Sequence, residues 1–239
     1  MKYQLPIFIL FLLSIAGFSQ TVLLEQDVTK DTLPRTYGPN LRNFRHFYYS
    51  FGFVAGGSEN KNLEINYGRS IEAAIGYRYK RKINNFYSFG WNMNCNIKNF
   101  NIRENAFKIF PNPAIHYKEK LITRNLALEV YNRFNFDTKR GDFIGNFIDI
   151  GAFAEWNFFP TEVTIDNYNF ANGSLAGNTK QIHSDLAYIN YFNYGINVDL
   201  GFNRYVIYCS YRLSNIFNNT IVFPELPRII VGLQVGLHQ

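Results

Sequence analysis

Along most of the chain the apolar residues fall on every second position, the period of a β-strand with one oily and one polar face rather than the 3.6 of a helix. The cleanest stretch sets Tyr87, Phe89, Trp91, Met93, Cys95 and Ile97 against Ser88, Gly90, Asn92, Asn94, Asn96 and Lys98. Ahead of it, Phe47, Tyr49, Phe51, Phe53 and Ala55 oppose His46, Tyr48, Ser50, Gly52 and Val54, and Ile71, Ala73, Ile75, Tyr77 and Tyr79 oppose Glu72, Ala74, Gly76, Arg78 and Lys80. A fourth strand sets Leu126, Leu128, Val130, Phe134 and Phe136 against Asn125, Ala127, Glu129, Arg133 and Asn135. The fifth runs Ile148, Ile150, Ala152, Ala154, Trp156 and Phe158 against Asp149, Gly151, Glu155 and Asn157, with Phe147 and Phe153 out of phase on the polar face. The last three are built on Phe192 to Leu200, Tyr205 to Leu213 and Val231 to Leu237. Eight amphipathic strands predict an all-β fold, an eight-stranded antiparallel up-and-down barrel over residues 44–239.

The connections alternate in length. Arg81 to Asn85, Asp137 to Asp142 and Phe202 to Asn203 are tight turns, whereas Gly57 to Arg69, Asn99 to Lys120, Pro160 to Asp185 and Asn215 to Arg228 are expected as long polar loops. Short turns at one end and long loops at the other are the layout of a transmembrane barrel with periplasmic turns and extracellular loops. From a periplasmic start, Phe47, Tyr49, Tyr77, Tyr79, Tyr87, Phe134, Phe136 and Tyr205 gather at the lower strand ends as an aromatic girdle.

Eight alternating strands also describe a water-soluble barrel, so the composition of the two faces has to choose between them. The polar face is Asn, Ser and Gly with charges of both signs, where a solvated exterior would carry many Lys and Glu. The apolar face is free of charge through Ile71 to Tyr79, Tyr87 to Ile97 and Tyr205 to Leu213, the gap that lipid enforces at about 2–4 kcal/mol per midplane charge. The whole chain is 18% aromatic and 18% charged, which excludes disorder and a coiled coil, and its 2 Cys exclude a disulfide scaffold.

Residues 1–19 carry Lys2, an apolar run from Leu5 to Ala16, and the small pair Gly17 and Ser19 before Gln20, the pattern of a secretory signal peptide. Residues 20–43 have no strand pattern; with Asp31-Thr32-Leu33-Pro34-Arg35 they read as a periplasmic tail. Of 24 basic residues only Lys2 lies in the leader, so the chain from Gln20 keeps 23 against 18 acidic ones, a net charge of +5. That excess argues for no nucleic acid and is compatible with anionic lipid headgroups.

The polar face would place Glu72, Glu129, Asp149, Glu155 and Asp199 against Arg78, Lys80, Arg133 and Arg212 inside the barrel. Such a set is expected either as a plug of ion pairs or, in the sharper alternative, as an ion or proton path. His46 and Ser50 lie about 13 Å apart on one strand, too far to share a proton. His116 and His183 fall in separate loops near Glu119, Glu162, Asp166 and Asp185 without ligand spacing, and His238 ends the last strand facing inward. Cys95 and Cys209 would sit on opposite walls facing outward as free thiols. No cofactor, metal or catalytic residue is expected. Tyr168 and Phe170 are candidates for an interaction surface in the third long loop.

With Gly17-Phe18-Ser19-Gln20, the first strand Phe47-Tyr48-Tyr49-Ser50-Phe51-Gly52-Phe53 and the terminal Leu226-Pro227-Arg228-Ile229-Ile230-Val231-Gly232-Leu233-Gln234-Val235-Gly236, the chain resembles small OmpA- and OmpX-type barrels, and within them the PorT-like outer-membrane proteins of Bacteroidota. The end at His238-Gln239 departs from the terminal aromatic usual in such barrels, and a peptidoglycan-binding domain of the OmpA kind is not expected. The resemblance implies an outer-membrane location and a non-enzymatic scaffold or accessory role in an envelope complex, with type IX protein secretion as one setting. The partners would be outer-membrane lipid and other envelope proteins, met through the long loops or the tail. A narrow solute or ion pore and a lipid-modifying or proteolytic enzyme are the alternatives.

Overall fold

The computed structural model describes residues 37–57, 62–137, 143–169, 176–218 and 223–238. The expected leader, the tail through Thr36 and Phe170 lie outside the described residues, as does the side chain of Tyr168. Ten strands form: β1 (Asn43–Ala55), β2 (Ile71–Lys82), β3 (Tyr87–Ile102), β4 (Lys118–Asp137), β5 (Asn146–Asn157), β6 (Thr161–Asn169), β7 (Ala176–Ser184), β8 (Phe192–Phe202), β9 (Tyr205–Arg212) and β10 (Ile229–Leu237). Eight of them close a ring in the order β1-β2-β3-β4-β5-β8-β9-β10, with β1 paired to β10 from Phe47↔Leu237 to Ala55↔Ile229. All pairs are antiparallel, so the fold is the expected closed eight-stranded barrel.

Alternation fixes which side chains face the axis. On β8 exposed and buried residues alternate without a break from Phe192 to Phe202, and on β1 Phe47, Tyr49, Phe51 and Phe53 are exposed while His46, Tyr48, Gly52 and Val54 are buried. The outward faces form an apolar belt that includes Trp91, Leu128, Trp156, Tyr194 and Leu233. The polarity of β3 and β4 reverses partway up. Below, the inward residues are Asn92, Asn96 and Lys98 and the outward ones Met93, Cys95 and Ile97; above, Phe100, Ile102 and Leu121 turn inward while Lys118 and Lys120 turn outward.

Five inward rings fit a narrow barrel because each faces a glycine in register: Tyr48 opposite Gly76, Tyr131 opposite Gly90, Phe147 opposite Gly201, Phe153 opposite Gly195 and Tyr208 opposite Gly232. A Cβ at Gly201 would lie 2.0 Å from the Phe147 ring, and one at Gly90 2.4 Å from that of Tyr131. Only a residue without a side chain leaves the ring room to lie on the opposite strand. This explains why Phe147 and Phe153 break the phase of the fifth strand: they are inward residues, and the phase itself is intact.

The segment Pro160 to Asp185, expected as a loop, is instead the β6–β7 hairpin. Strand β6 prolongs β5 past a bulge: Asn125 pairs with Asn157 and Ile122 with Thr161, so β4 spends one residue fewer than its neighbour across the gap. Pro160 lies in that gap, where it has no ladder hydrogen bond to donate. Arg124 closes it, its Nη1 donating to the Phe159 carbonyl at 3.2 Å and to Thr161 Oγ1 at 3.0 Å. The alternation Val163, Ile165 against Glu162, Thr164 was present but short. Strands β3 and β4 likewise overrun the expected loop at Asn99 to Lys120, leaving residues 103–117 between them.

Candidate functional site: a charged lumen capped at both ends

The expected inward charges all sit on the inner wall, and eight of the nine meet an opposite charge. Arg78 on β2 is the hub: one Nη2 donates to Asp199 at 2.5 Å and approaches Glu129 at 3.6 Å, while Nη1 lies 3.3 Å from Asp149. Arg133 on β4 grips its direct cross-strand partner Asp149 in a two-pronged contact, Nε and Nη2 each at 2.7 Å. Its guanidinium lies 3.4 Å from the centre of the Phe147 ring. Asn92 and Asn197 donate to Glu129 at 2.9 and 2.8 Å, and Tyr48 donates to Asn92 at 2.9 Å. Buried charges that keep several such partners are held in place, since an unpaired one would cost several kcal/mol.

Higher up, Lys98 donates to Glu155 at 2.6 Å and lies 4.0 Å from Glu72, which also accepts from the Tyr208 hydroxyl at 3.0 Å. Lys98 belongs to this network although the residue pattern had shown it only as an inward polar position. Arg212 pairs with Glu225 at 2.7 Å, a loop residue that no periodicity marks. Lys80 differs from the rest. It donates to the Pro39 carbonyl at 2.5 Å, so the last residues of the expected tail fold against the lower wall. Between these groups lies a cavity of about 70 Å³ bordered by Tyr48, Glu72, Asn96, Glu129, Asn197 and Tyr208, room for about two water molecules at about 30 Å³ each.

Apolar side chains close both ends. Phe44, Ile144, Phe147 and Val206 pack at the lower mouth, where His46 stacks on Phe44 at 4.7 Å and meets His238 edge-on at 5.0 Å. At the upper mouth Val54, Phe100, Leu121 and Ile230 from the wall join Leu63, Phe110, Ile189, Phe217 and Leu226 from four loops. The rings of Phe110, Tyr188, Phe217 and Phe223 cluster there at 4.6 to 6.3 Å. This cap went unseen in the sequence; Phe110, Leu186, Ile216 and Phe223 fall in short apolar runs within the connecting segments, without a strand period.

The cap has a polar seam. Lys108 is buried and donates to Glu104 at 2.9 Å, to the Ala114 carbonyl at 2.9 Å and to Glu119. Burial pushes the Glu119 carboxyl up to about 8, Glu104 and Glu162 adding to the rise against the opposing pull of Lys108. The Tyr188 hydroxyl donates to Glu162 at 2.7 Å, and its own pKa is raised by burial and that carboxylate. His116 Nδ1 lies 2.8 Å from Asp166, joining the 103–117 loop to β6. His183 stands opposite Glu162 on the exposed β7, four residues and about 13 Å along the hairpin from Asp166 and its partner Thr179, so His116 and His183 do not converge. Among the described residues no three His, Cys, Asp or Glu side chains gather as a metal site.

The eight girdle residues face outward near the lower rim, Phe47 against Tyr77 at 5.2 Å and Tyr87 against Phe134 at 5.8 Å. Phe86 extends the row, 5.7 Å from Phe134. Cys95 and Cys209 are free thiols on β3 and β9, four strands apart round the ring. The class defined by these features is a small closed β-barrel with a plugged, charge-paired lumen. No protein-family model matches the chain, and no curated protein is significantly similar to it.

Proposed function

We propose that the chain is an integral outer-membrane β-barrel that serves as a scaffold or accessory subunit of an envelope complex and performs no chemistry of its own. One observation carries the membrane reading. Between Arg45 and Arg81 at the lower rim and Arg124 at the upper, the outward face of the ring carries no charged side chain, and beyond that band the polarity of the wall reverses. From Phe192 to Phe202 the band runs ten steps of about 3.3 Å, which at a tilt of about 40° gives about 25 Å, the height of the apolar zone of a transmembrane barrel.

The scaffold reading is supported by the lumen, where eight of the nine expected charges meet an opposite charge beneath an apolar cap, a plug suited to stiffness more than to passage. Partner contact is supported by Phe107, Ile109, Ile115 and Tyr117, all exposed on the 103–117 loop above the band, where a lone barrel gains nothing from bare apolar surface. A place in a secretion machine follows from the PorT-like likeness and is the finest part of the proposal.

The test labels Cys95 and Cys209, which stand in the outward band. In reconstituted vesicles a membrane-impermeant maleimide should leave both unlabelled, while a lipid-soluble one reaches them and unfolding exposes both. Labelling of native protein by the impermeant reagent, or a monomer that stays in water without detergent, overturns the membrane reading. Replacing Phe107, Ile109, Ile115 and Tyr117 with Ser should shift the native complex to the mass of the free barrel; an unshifted complex rejects that loop as the contact.

A further inference from the structure

The outward face of the upper sheet carries a group of cations that have no acidic partner among the described residues. Lys118 and Lys120 are two apart on β4, and register carries Lys118 across Ile165 to Lys180 on β7, and Lys120 across Val163 to Ile182. The three lysines therefore share one face, Lys118 and Lys180 separated by two strand spacings of about 4.8 Å each. Lys118 lies against the Lys120 ammonium, whose pKa is lowered by burial first and then by Lys118 and Lys180. Among the described residues no carboxylate pairs with any of the three. The described acids of this region are committed elsewhere: Glu64 to Arg103 at 3.1 Å, Glu104 and Glu119 to Lys108, Glu162 to Tyr188 and Asp166 to His116.

We propose that Lys118, Lys120 and Lys180 form a binding site for a phosphate monoester carried by a glycolipid of the outer leaflet. The inference rests on the membrane reading above. Three ammonium groups held together without a counter-ion repel one another, and a dianionic phosphate reverses the sign of that energy. Position selects the source. The lysines continue the outward row of β4 that holds Leu126 and Leu128 below, with Arg124 and Phe159 between, so the site opens sideways just above the apolar band. A lipid anchored in that band presents its headgroup there.

The full chain in neutral detergent, its folding verified by heat-modifiable gel mobility, is titrated with bisphosphorylated lipid A, with the same lipid after phosphatase treatment, and with inorganic phosphate. Binding is read from the unfolding midpoint and from protection of the three lysines against acylation. Bisphosphorylated lipid should raise the midpoint and protect all three. K118Q/K120Q/K180Q should weaken it by about fivefold per lysine, on the order of a hundredfold together, and should raise the lipid-free midpoint by removing the repulsion. K180Q alone, on the appended hairpin outside the ring, should show its share with an intact barrel. Equal binding by the triple variant, or by the dephosphorylated lipid, overturns the site. Protection by inorganic phosphate as strong as by lipid overturns the lipid source, and a chain that needs no detergent to stay in solution overturns the membrane reading and that source with it.

Discussion

The middle of the barrel and its upper mouth are both buried interiors, yet they are built from opposite chemistry. In the middle the buried groups are Arg78, Arg133, Lys98 and five carboxylates; at the mouth they are Phe100, Phe110, Leu121 and Phe217. The same strands, β3 and β4, supply both. Alternation forces the contrast. Where the outside must be oily, the apolar half of each strand is used up outward and the polar half must satisfy itself inside. Above the band that demand ends, and the strands bury oil and expose lysine as a soluble protein does.

The comparison breaks first at its hub. Arg78→Ala would leave Glu129, Asp149 and Asp199 short of a cation, and should cost about 3–5 kcal/mol in urea unfolding from detergent or vesicles. A loss under about 1 kcal/mol would mean that the lumen charges are solvated and the plug is loose. Next in size is Phe110→Ala, which should open the cap by about 3 kcal/mol, read as faster hydrogen exchange at residues 186–190 and 215–218. The band strands should keep their protection, because loops can part while the ring stays closed; loss of protection there would join the two interiors into one unit.

Gly201→Ala sharpens the account of the wall. Its Cβ would sit 2.0 Å from Phe147, and the expected loss is about 1–3 kcal/mol, recovered when Phe147→Leu is added. Additive losses would rule out the ring-on-glycine fit. The smallest effect concerns pH. The Glu119 carboxyl titrates near 8 in the folded cap and near 4.5 once exposed, so the folded form holds its proton longer. Cap stability is therefore greatest below about pH 4.5, falls as pH rises towards 8, and then levels. Glu119→Gln should flatten this dependence, measured as cap exchange corrected for its intrinsic pH rate.

These outcomes also mark how far the sequence could be read. Period two sorted each strand into two faces, because a strand residue has only two directions to point; the composition of those faces then gave the outward belt, the girdle and nearly every lumen charge, and the alternating connection lengths gave the strand direction. Tyr131 and Phe153 were harder, since an inward ring looks like an error of phase until its glycine partner on the next strand is known. The β6–β7 hairpin was hidden by a short, mostly polar alternation broken at Pro160, and its existence depends on the free edge of β4 above Asn125. Loop residues have no period at all, so nothing local tells that Leu63, Phe110, Ile189 and Leu226 meet.

By itself, then, the sequence determined what each strand residue faces, and from that the barrel and its polar core. Tertiary structure alone decided who meets whom: Arg78 with three acids from three strands, Phe110 with rings from other loops, and Lys180 beside Lys118. The physical reason is that alternation is a property of one strand, whereas register and loop closure belong to pairs of segments far apart in the chain.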